Sequence, residues 1–424
     1  MDTIFALSSG SPPAGIAVIR VSGPKAAIAL EGLAGAMPEP RRATARTLRD
    51  NQGSPLDEAL VLWLPGPGTA TGEDLVELHL HGGRAVVAAI EAALGAIGGL
   101  RKAGPGEFTR RAFANGRIDL AEAEGLADLL SAETELQRRS ALAMAGGALS
   151  RWAEAWRETV LKLSAQVEAV LDFSDEDDVA ALPAAFSAQV TEFASELSDF
   201  LARPRADKLH EGFRVVLAGP PNAGKSTLFN ALLEDEAAIV TPTAGTTRDV
   251  LERSVAMGGV PFTFVDTAGL RASTEDAIET IGIERARQQS DLADLVLWLG
   301  EEGQGPEGAW EIDPKCDSVD HVQKSAPFLR ISAATGEGIA ELREELIERA
   351  RGAMPAPGAV ALNARQHDVV AEAHDALMGI ESESDPLLIG ERLRLVRLAF
   401  DRLLGRTSTE DMLDTLFGRF CIGK

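Results

Sequence analysis

The stretch FRVVLAGPPNAGKSTL, residues 213–228, decides how this chain is read. An apolar, β-branched run over 215–218 leads into Gly219-Pro220-Pro221-Asn222-Ala223-Gly224-Lys225-Ser226, and helix formers follow from Thr227. Strand, glycine-framed loop and helix in that order, with Lys-Ser closing the loop, form the phosphate-binding pattern GxxxxGK[ST]. Gly219 and Gly224 let the backbone curl so that successive N–H groups point inward, and the helix N-terminus adds positive potential. In that geometry Lys225 reaches the β- and γ-phosphates and the Ser226 hydroxyl holds Mg²⁺. A nucleoside triphosphate site on a parallel α/β sheet is the expectation.

Such a sheet needs further loops at its strand ends, and the sequence supplies them in order. An apolar strand ends at Asp266 and runs into Thr267-Ala268-Gly269. Asp266 is expected to hold Mg²⁺ through water, and Gly269 to offer its N–H to the γ-phosphate. Between this and the first loop lies TPTAGTTRD, residues 241–249, whose threonines can close over the γ-phosphate and let go after hydrolysis. Lys315-Cys316-Asp317 carries the Lys-x-Asp of a guanine-reading NKxD loop, because a carboxylate accepts from both the guanine N1–H and the 2-amino group. Ser332-Ala333-Ala334, after an expected strand over 328–331, adds the accompanying backbone contact. Together these loops predict GTP rather than ATP. Pro314 stands where the NKxD motif has asparagine, so the side-chain amide that ties this loop to the first is missing, and a weaker hold on guanine is expected. Leu270 stands where Ras-like enzymes place the glutamine that orients the attacking water. That role must fall elsewhere, with Glu275, Asp276 and Glu279 as candidates, and a cation is expected in place of an arginine finger.

The rest of the chain sets bounds. Its 424 residues predict two or three domains, and the charge balance 41 − 65 = −24 argues against a broad basic nucleic-acid surface. Any RNA contact is local or comes from a partner. Cys316 and Cys421 are the only cysteines, too few for a disulfide framework and without zinc-site spacing. The first residues lack a basic, apolar leader, and no apolar run approaches the ~20 residues of a membrane span. A cytoplasmic protein without a membrane role is expected.

In order, residues 1–118 read as a mixed α/β domain with strands over 15–21, 59–64 and 74–80 and an alanine-rich helix over 85–94. In the third strand Val76, Leu78 and Leu80 alternate with Glu77 and His79, so one face is apolar and the other ionisable. That second face is either a polar pocket or a solvated surface. Residues 119–210 read as helical, with one or two long amphipathic helices over 135–172, a stretch interrupted by glycine only at Gly146-Gly147, and another between Pro183 and Pro204. The acidic run at 175–178 reads as a solvated loop or cap rather than a metal site, since ligand spacing is missing. Residues 211–355 form the nucleotide domain. After the linker Pro355-Ala356-Pro357-Gly358, residues 356–424 return to helix over 363–378, 387–404 and 409–417. The simplest architecture packs the two helical segments into one bundle with the nucleotide domain inserted.

The loops resemble those of the TrmE/Era/Der-like group of GTPases, and the chain as a whole is identified as a member of its MnmE (TrmE) family of tRNA-modification GTPases. The resemblance rests also on DTIFALSSG (2–10), GIAVIRVSGP (15–24), TGEDLVELHLHGG (71–83), PGEFTRRAFANGRIDLAEAEGLADL (105–129) and the terminal Cys421-Ile422-Gly423-Lys424. It implies an N-terminal tetrahydrofolate-binding-like domain, a helical bundle and an inserted Ras-like P-loop GTPase domain. By the same resemblance, the N-terminal domain makes a homodimer and binds a 5-formyltetrahydrofolate-type one-carbon donor through Arg20, Glu77, Arg117 and Lys424; Arg117 replaces the family's more usual lysine. GTP falls to residues 222–227 (Asn222, Ala223, Gly224, Lys225, Ser226, Thr227), to Thr241, Thr246 and Thr247, to residues 266–269, and to Lys315, Asp317, Ser332, Ala333 and Ala334. Ser226, Thr247 and Asp266 hold Mg²⁺, while Asn222, Thr241, Thr243 and Thr246 hold K⁺ in the place of an arginine finger. Catalysis falls to Lys225, Gly269 and Glu279; Glu279 precedes Thr280-Ile281-Gly282-Ile283-Glu284, which resembles the family's RIGIE segment, and positions the water. With the FAD-dependent partner MnmG, in a heterotetramer, family members install aminomethyl or carboxymethylaminomethyl groups on tRNA wobble uridines. Two other functions compete: an Era/Der-type switch in ribosome assembly, and a folate-dependent methyltransferase with an accessory GTPase. Cys421 reads either as a nucleophile or as a packed core thiol.

Overall fold

The computed structural model describes residues 2–172, 182–233, 251–266, 292–318, 323–407 and 409–424. The chain divides into two compact units, one of Met1–Ala127, Leu149–Glu158 and Arg397–Lys424, the other of Asp128–Ala148 and Thr159–Val396. Among the described residues no helix is long and apolar enough to cross a membrane.

The first unit is built on six strands: β1 (Thr3–Leu7), β2 (Ile16–Ser22), β3 (Thr44–Arg49), β4 (Pro55–Leu64), β5 (Leu75–His81) and β6 (Leu100–Lys102). They lie in the order β3-β4-β5-β2-β1-β6, antiparallel throughout except that β6 runs parallel to β1. The alternation read in β5 is what the sheet uses. Val76, Leu78 and Leu80 enter a core with Phe5, Ile19, Val21, Leu48 and Val61, while Glu77 and His79 stay half-exposed; Leu75 is buried too. Helices Ala26–Ala34 and Arg84–Gly95 close that core with Leu30, Leu33, Ile90 and Leu94. The first of these helices has nine residues, too few for apolar periodicity to mark it in the sequence.

Further helices and the chain end also belong to this unit. Helix Glu107–Ala114 lies near Glu410–Phe417, with the Phe113 and Phe417 rings 6.1 Å apart, and Leu120, Ala123, Leu413, Phe417 and Phe420 form a small apolar cluster. The chain end returns to the sheet: Ile422 bridges Pro105, the Phe108 N–H donates to the Lys424 carbonyl at 3.2 Å, and Gly423 abuts the end of β1.

The second unit carries a second six-stranded sheet: β7 (Phe213–Ala218), β8 (Leu251–Met257), β9 (Val260–Asp266), β10 (Leu295–Trp298), β11 (Trp310–Asp313) and β12 (Leu329–Arg330). Its order is β12-β11-β10-β7-β9-β8, parallel except for the antiparallel edge β8. Strands covered on both faces read as continuous apolar runs, and β9 is buried at every position. Phe262 stacks on Phe264 at 5.7 Å and meets Phe213 edge-on at 5.8 Å. The order β10-β7-β9 reverses direction about β7, so the crevice at the C-terminal ends of these strands is where a ligand binds in such sheets.

Helix Glu135–Ala145 packs near β9 and ends at Gly146-Gly147, where Gly147 takes φ +75; Ala148–Asp172 follows in sequence. Helix Phe186–Leu201, which precedes the sheet in sequence, packs against Ala364–Met378, which follows it, and Thr191 Oγ1 donates to Glu381 Oε1 at 2.9 Å. The parallel-sheet domain is thus inserted into a helical one. The acidic run at 175–178 lies outside the described residues.

Candidate functional site

The loop from Gly219 to Gly224 leaves the end of β7 and enters helix Lys225–Leu233. Gly219 takes φ +145 with the Leu299 and Gly300 backbone about 3 Å from where a Cβ would stand, Asn222 takes φ +64 and Gly224 φ +97. A side chain at 219 would collide with the β10 end, and three left-handed residues in six turn the backbone back on itself. Lys225 is buried, and its Nζ donates to the Gly219 and Pro220 carbonyls at 2.9 and 2.8 Å. The ammonium is therefore held inside the loop's own curl.

Ser226 Oγ donates to Asp266 Oδ2 at 2.7 Å. Asp266 is fully buried at the end of β9, next to β7 in the sheet, so a hydroxyl and a carboxylate from two elements meet at the crevice. Both are hard oxygen donors of the kind Mg²⁺ takes. Thr227 sits exposed in the same helical turn.

Lys315, at φ +60, donates through Nζ to the Asn222 carbonyl at 2.7 Å. This bond joins the Lys-x-Asp loop to the phosphate loop at the place where Pro314 cannot, so the missing asparagine does not leave the two loops unconnected. Pro314 is buried, Asp317 is exposed in a turn closed by Ser318 N–H to the Lys315 carbonyl at 2.9 Å, and the Cys316 N–H donates to the Ile331 carbonyl at 3.1 Å. That last bond sets the loop beside Ser332, which is buried, with Ala333 half-buried and Ala334 exposed. Burial, the carboxylates of Glu337 and Asp317 and a hydrogen bond with Glu337 push the Cys316 thiol up, which makes it a poor nucleophile. Thr241, Thr243, Thr246, Thr247, Thr267, Ala268, Gly269, Leu270, Glu275, Asp276 and Glu279 lie outside the described residues.

The N-terminal candidates form a separate group on the ionisable face of the first sheet. Arg20 and Glu77 are cross-strand partners, and the guanidinium donates to Glu77 Oε1 from Nε at 3.2 Å and Nη2 at 2.8 Å. His79 Nε2 lies 3.3 Å from the other oxygen of Glu77. Burial alone would raise the Glu77 carboxyl, but Arg20 and then His79 outweigh it and hold Glu77 below the usual carboxylate range. Arg20 also lies over the Phe108 ring at 5.9 Å, and Phe108 in turn binds the Lys424 carbonyl through its N–H. The structure thus links Arg20 and Glu77 to the backbone at Lys424 through one phenylalanine.

Arg117 is exposed, and its stem covers Gly72, where a Cβ would stand 2.9 Å from Asn115 Cβ and 3.2 Å from Arg117 Cγ. The Gly72 loop is pinned: Ser22 Oγ donates to Glu73 Oε2 at 2.7 Å, Arg111 reaches Glu73 at 3.1 Å, and Asn115 Nδ2 donates to the Thr71 carbonyl at 2.7 Å. Phe108, Gly72, Arg111 and Gly423 lie inside the segments that carry the family resemblance, but nothing in the sequence assigns any of them a role of its own. The glycines at 72 and 423, inside segments otherwise rich in side chains, were the available signal.

Two family profiles match the chain: one described as GTP-binding protein TrmE N-terminus over residues 3–117, and one described as MnmE helical domain over residues 120–421. A protein of Erythrobacter litoralis (strain HTCC2594) named tRNA modification GTPase MnmE is 64% identical over 424 residues, covering 100% of both chains. One of the same name from Novosphingobium aromaticivorans is 63% identical over 435 residues, and one from Zymomonas mobilis subsp. mobilis 49% over 435 residues, each again with 100% of both chains covered.

Proposed function

The chain belongs to the MnmE family of tRNA modification GTPases, and from that premise we propose that it is a K⁺-stimulated GTP hydrolase of tRNA modification. With the FAD-dependent partner MnmG it forms the 5-carboxymethylaminomethyl or aminomethyl group of tRNA wobble uridines, using a tetrahydrofolate one-carbon donor. The observation that carries the hydrolase reading is the meeting of Ser226 and Asp266 at 2.7 Å beside the buried Lys225.

In this reading Lys225 exchanges its two carbonyl partners for phosphate oxygens without leaving the loop. Ser226, Thr247 and Asp266 would hold Mg²⁺, which would supply positive charge to the phosphate oxygens. Gly269 donates its N–H to the γ-phosphate. Glu279 accepts a proton of the attacking water in a hydrogen bond and so aims the oxygen lone pair at phosphorus. Asn222, exposed at the loop's crest, would hold K⁺ with Thr241, Thr243 and Thr246, and the ion would supply the positive charge an arginine finger gives elsewhere. Asp317 accepts the two guanine N–H bonds, with Ser332, Ala333 and Ala334 behind the base, and Lys315 braces that loop against the phosphate loop.

The N-terminal domain, residues 1–118, holds the folate through Arg20, Glu77, Arg117 and Lys424 and joins two copies into a homodimer. Residues 119–210 and 356–424 form the helical domain and 211–355 the GTPase domain. The assembly with MnmG is a heterotetramer in the cytoplasm. Turnover of GTP by the full chain in K⁺ against Na⁺ at equal ionic strength tests the K⁺ site: a rate at least tenfold higher in K⁺ is expected, and equal rates remove the ion from the mechanism.

A further inference from the structure

The nucleotide loops sit at the C-terminal ends of the parallel strands, and at the opposite end of the same sheet a groove of about 490 Å³ opens to the surface. Its floor is an aromatic pair. Trp310 begins β11, Phe328 lies just before β12, and their rings stack with centroids 4.1 Å apart and planes at 18°. Phe328 is 43% exposed, so a large π-face meets water instead of the core beneath it.

One wall is helix Ile339–Ala353. Glu345, Glu348, Arg349 and Gly352 line the groove at spacings of three and four, which puts them on one face of the helix. Among the described residues neither Glu345 nor Glu348 enters an ion pair or a side-chain hydrogen bond, and both are exposed. Gly352 belongs to the helix's last turn, where unpaired carbonyls add partial negative charge. A quadrupolar aromatic face, two carboxylates and a helix C-terminus therefore converge on one space; among the described lining residues Arg349 is the one cation, and Asp294 is paired with Lys208 beside the groove.

We propose that this groove is a docking site for a basic segment of a partner protein, with an arginine side chain laid over the exposed Phe328 ring, which Trp310 backs, and held by Glu345 and Glu348. A planar guanidinium stacks on aromatic rings and reaches carboxylates from its edge at the same time, which no apolar or anionic side chain does. An apolar occupant would strip water from two carboxylates without replacing it, and an anion would meet both of them on a chain of net charge −24. The site depends on neither the nucleotide nor the folate reading, since its residues belong to neither.

The test uses the full chain with ¹⁵N-labelled tryptophan and follows the indole N–H of Trp310, assigned with a Trp310→Phe variant, during titration with N-acetyl-arginine amide. Its neutral isostere, N-acetyl-citrulline amide, is the control. A saturable shift with the arginine probe, at least fivefold weaker in a Glu345→Gln/Glu348→Gln variant and weaker in Phe328→Ala, is expected. The proposal is overturned by equal shifts with the citrulline probe, by no saturable shift, or by full binding in the double variant. It is also overturned if the Trp310 signal moves with protein concentration alone, which would make a second copy of the chain the occupant.

Discussion

Replacing Gly423 by alanine tests how the last residues are held against the N-terminal sheet. Gly423 has φ +95, and a Cβ there would lie 2.0 Å from the Leu7 carbonyl oxygen and 3.0 Å from Ser8 Cα. The Leu7 end of β1 is paired with β2, so the tail must move, not the strand. Moving it breaks the Ile422 bridge to Pro105, the bond from Phe108 N–H to the Lys424 carbonyl at 3.2 Å and the longer one from Gly106 N–H to the Cys421 carbonyl at 3.5 Å. At about 0.5–1.5 kcal/mol for each of the two hydrogen bonds, with about 1–2 kcal/mol for an L-residue in left-handed backbone, docking weakens by roughly 2–5 kcal/mol. If Lys424 belongs to the folate site, that loss appears in ligand affinity, at tenfold per about 1.4 kcal/mol. Calorimetric titration with 5-formyltetrahydrofolate should show affinity lowered by more than about tenfold in Gly423→Ala, with GTP turnover at the wild-type rate. Deleting residues 421–424 should reproduce it. Wild-type folate affinity in Gly423→Ala would refute the argument that the docked tail completes the site, whereas failure of the wild-type chain to bind the folate would sink the folate reading itself.

Two further outcomes follow from the site and its surroundings. Glu279→Ala should bind GTP as the wild type does and lose hydrolysis by at least about a hundredfold, the usual scale for a positioned acid or base; unchanged single-turnover rates would assign the water to another carboxylate. His210 Nε2 lies 3.3 Å from Asp128 Oδ1, and that bond raises the imidazole above its ordinary value although burial opposes it. Because the folded value is the raised one, the stabilisation is complete below the unfolded value of about 6.5 and is lost as pH rises through the folded one. Thermal melts should therefore separate wild type from His210→Gln more at pH 6 than at pH 9; a gap that grows toward pH 9 would contradict the assignment.

The parts of the fold visible in the sequence are those governed by local rules. β5 announced itself because period-two alternation is what a sheet with one covered face requires, and the loop at Gly219 because glycine and lysine spacing is fixed by the turn that a phosphate needs. The helices on either side of the inserted domain were legible for similar reasons, whereas the break at Gly146-Gly147 was not decided by the sequence. Long-range geometry was not. Nothing local to Pro314 says that Lys315 reaches the Asn222 carbonyl, and nothing near Gly423 says that Leu7 lies against it. Phe108 lies far in sequence from Arg20 and Lys424, and only the folded N-terminal unit makes it the link between them.

GTP hydrolysis at this loop is proposed to serve wobble-uridine modification. Mass spectrometry of tRNA from cells lacking the protein tests it most directly: the carboxymethylaminomethyl and aminomethyl groups should be absent and should return with the wild-type chain but not with Lys225→Ala. Fully modified tRNA in those cells, accompanied by immature ribosomal particles, would contradict the account and favour a switch in ribosome assembly.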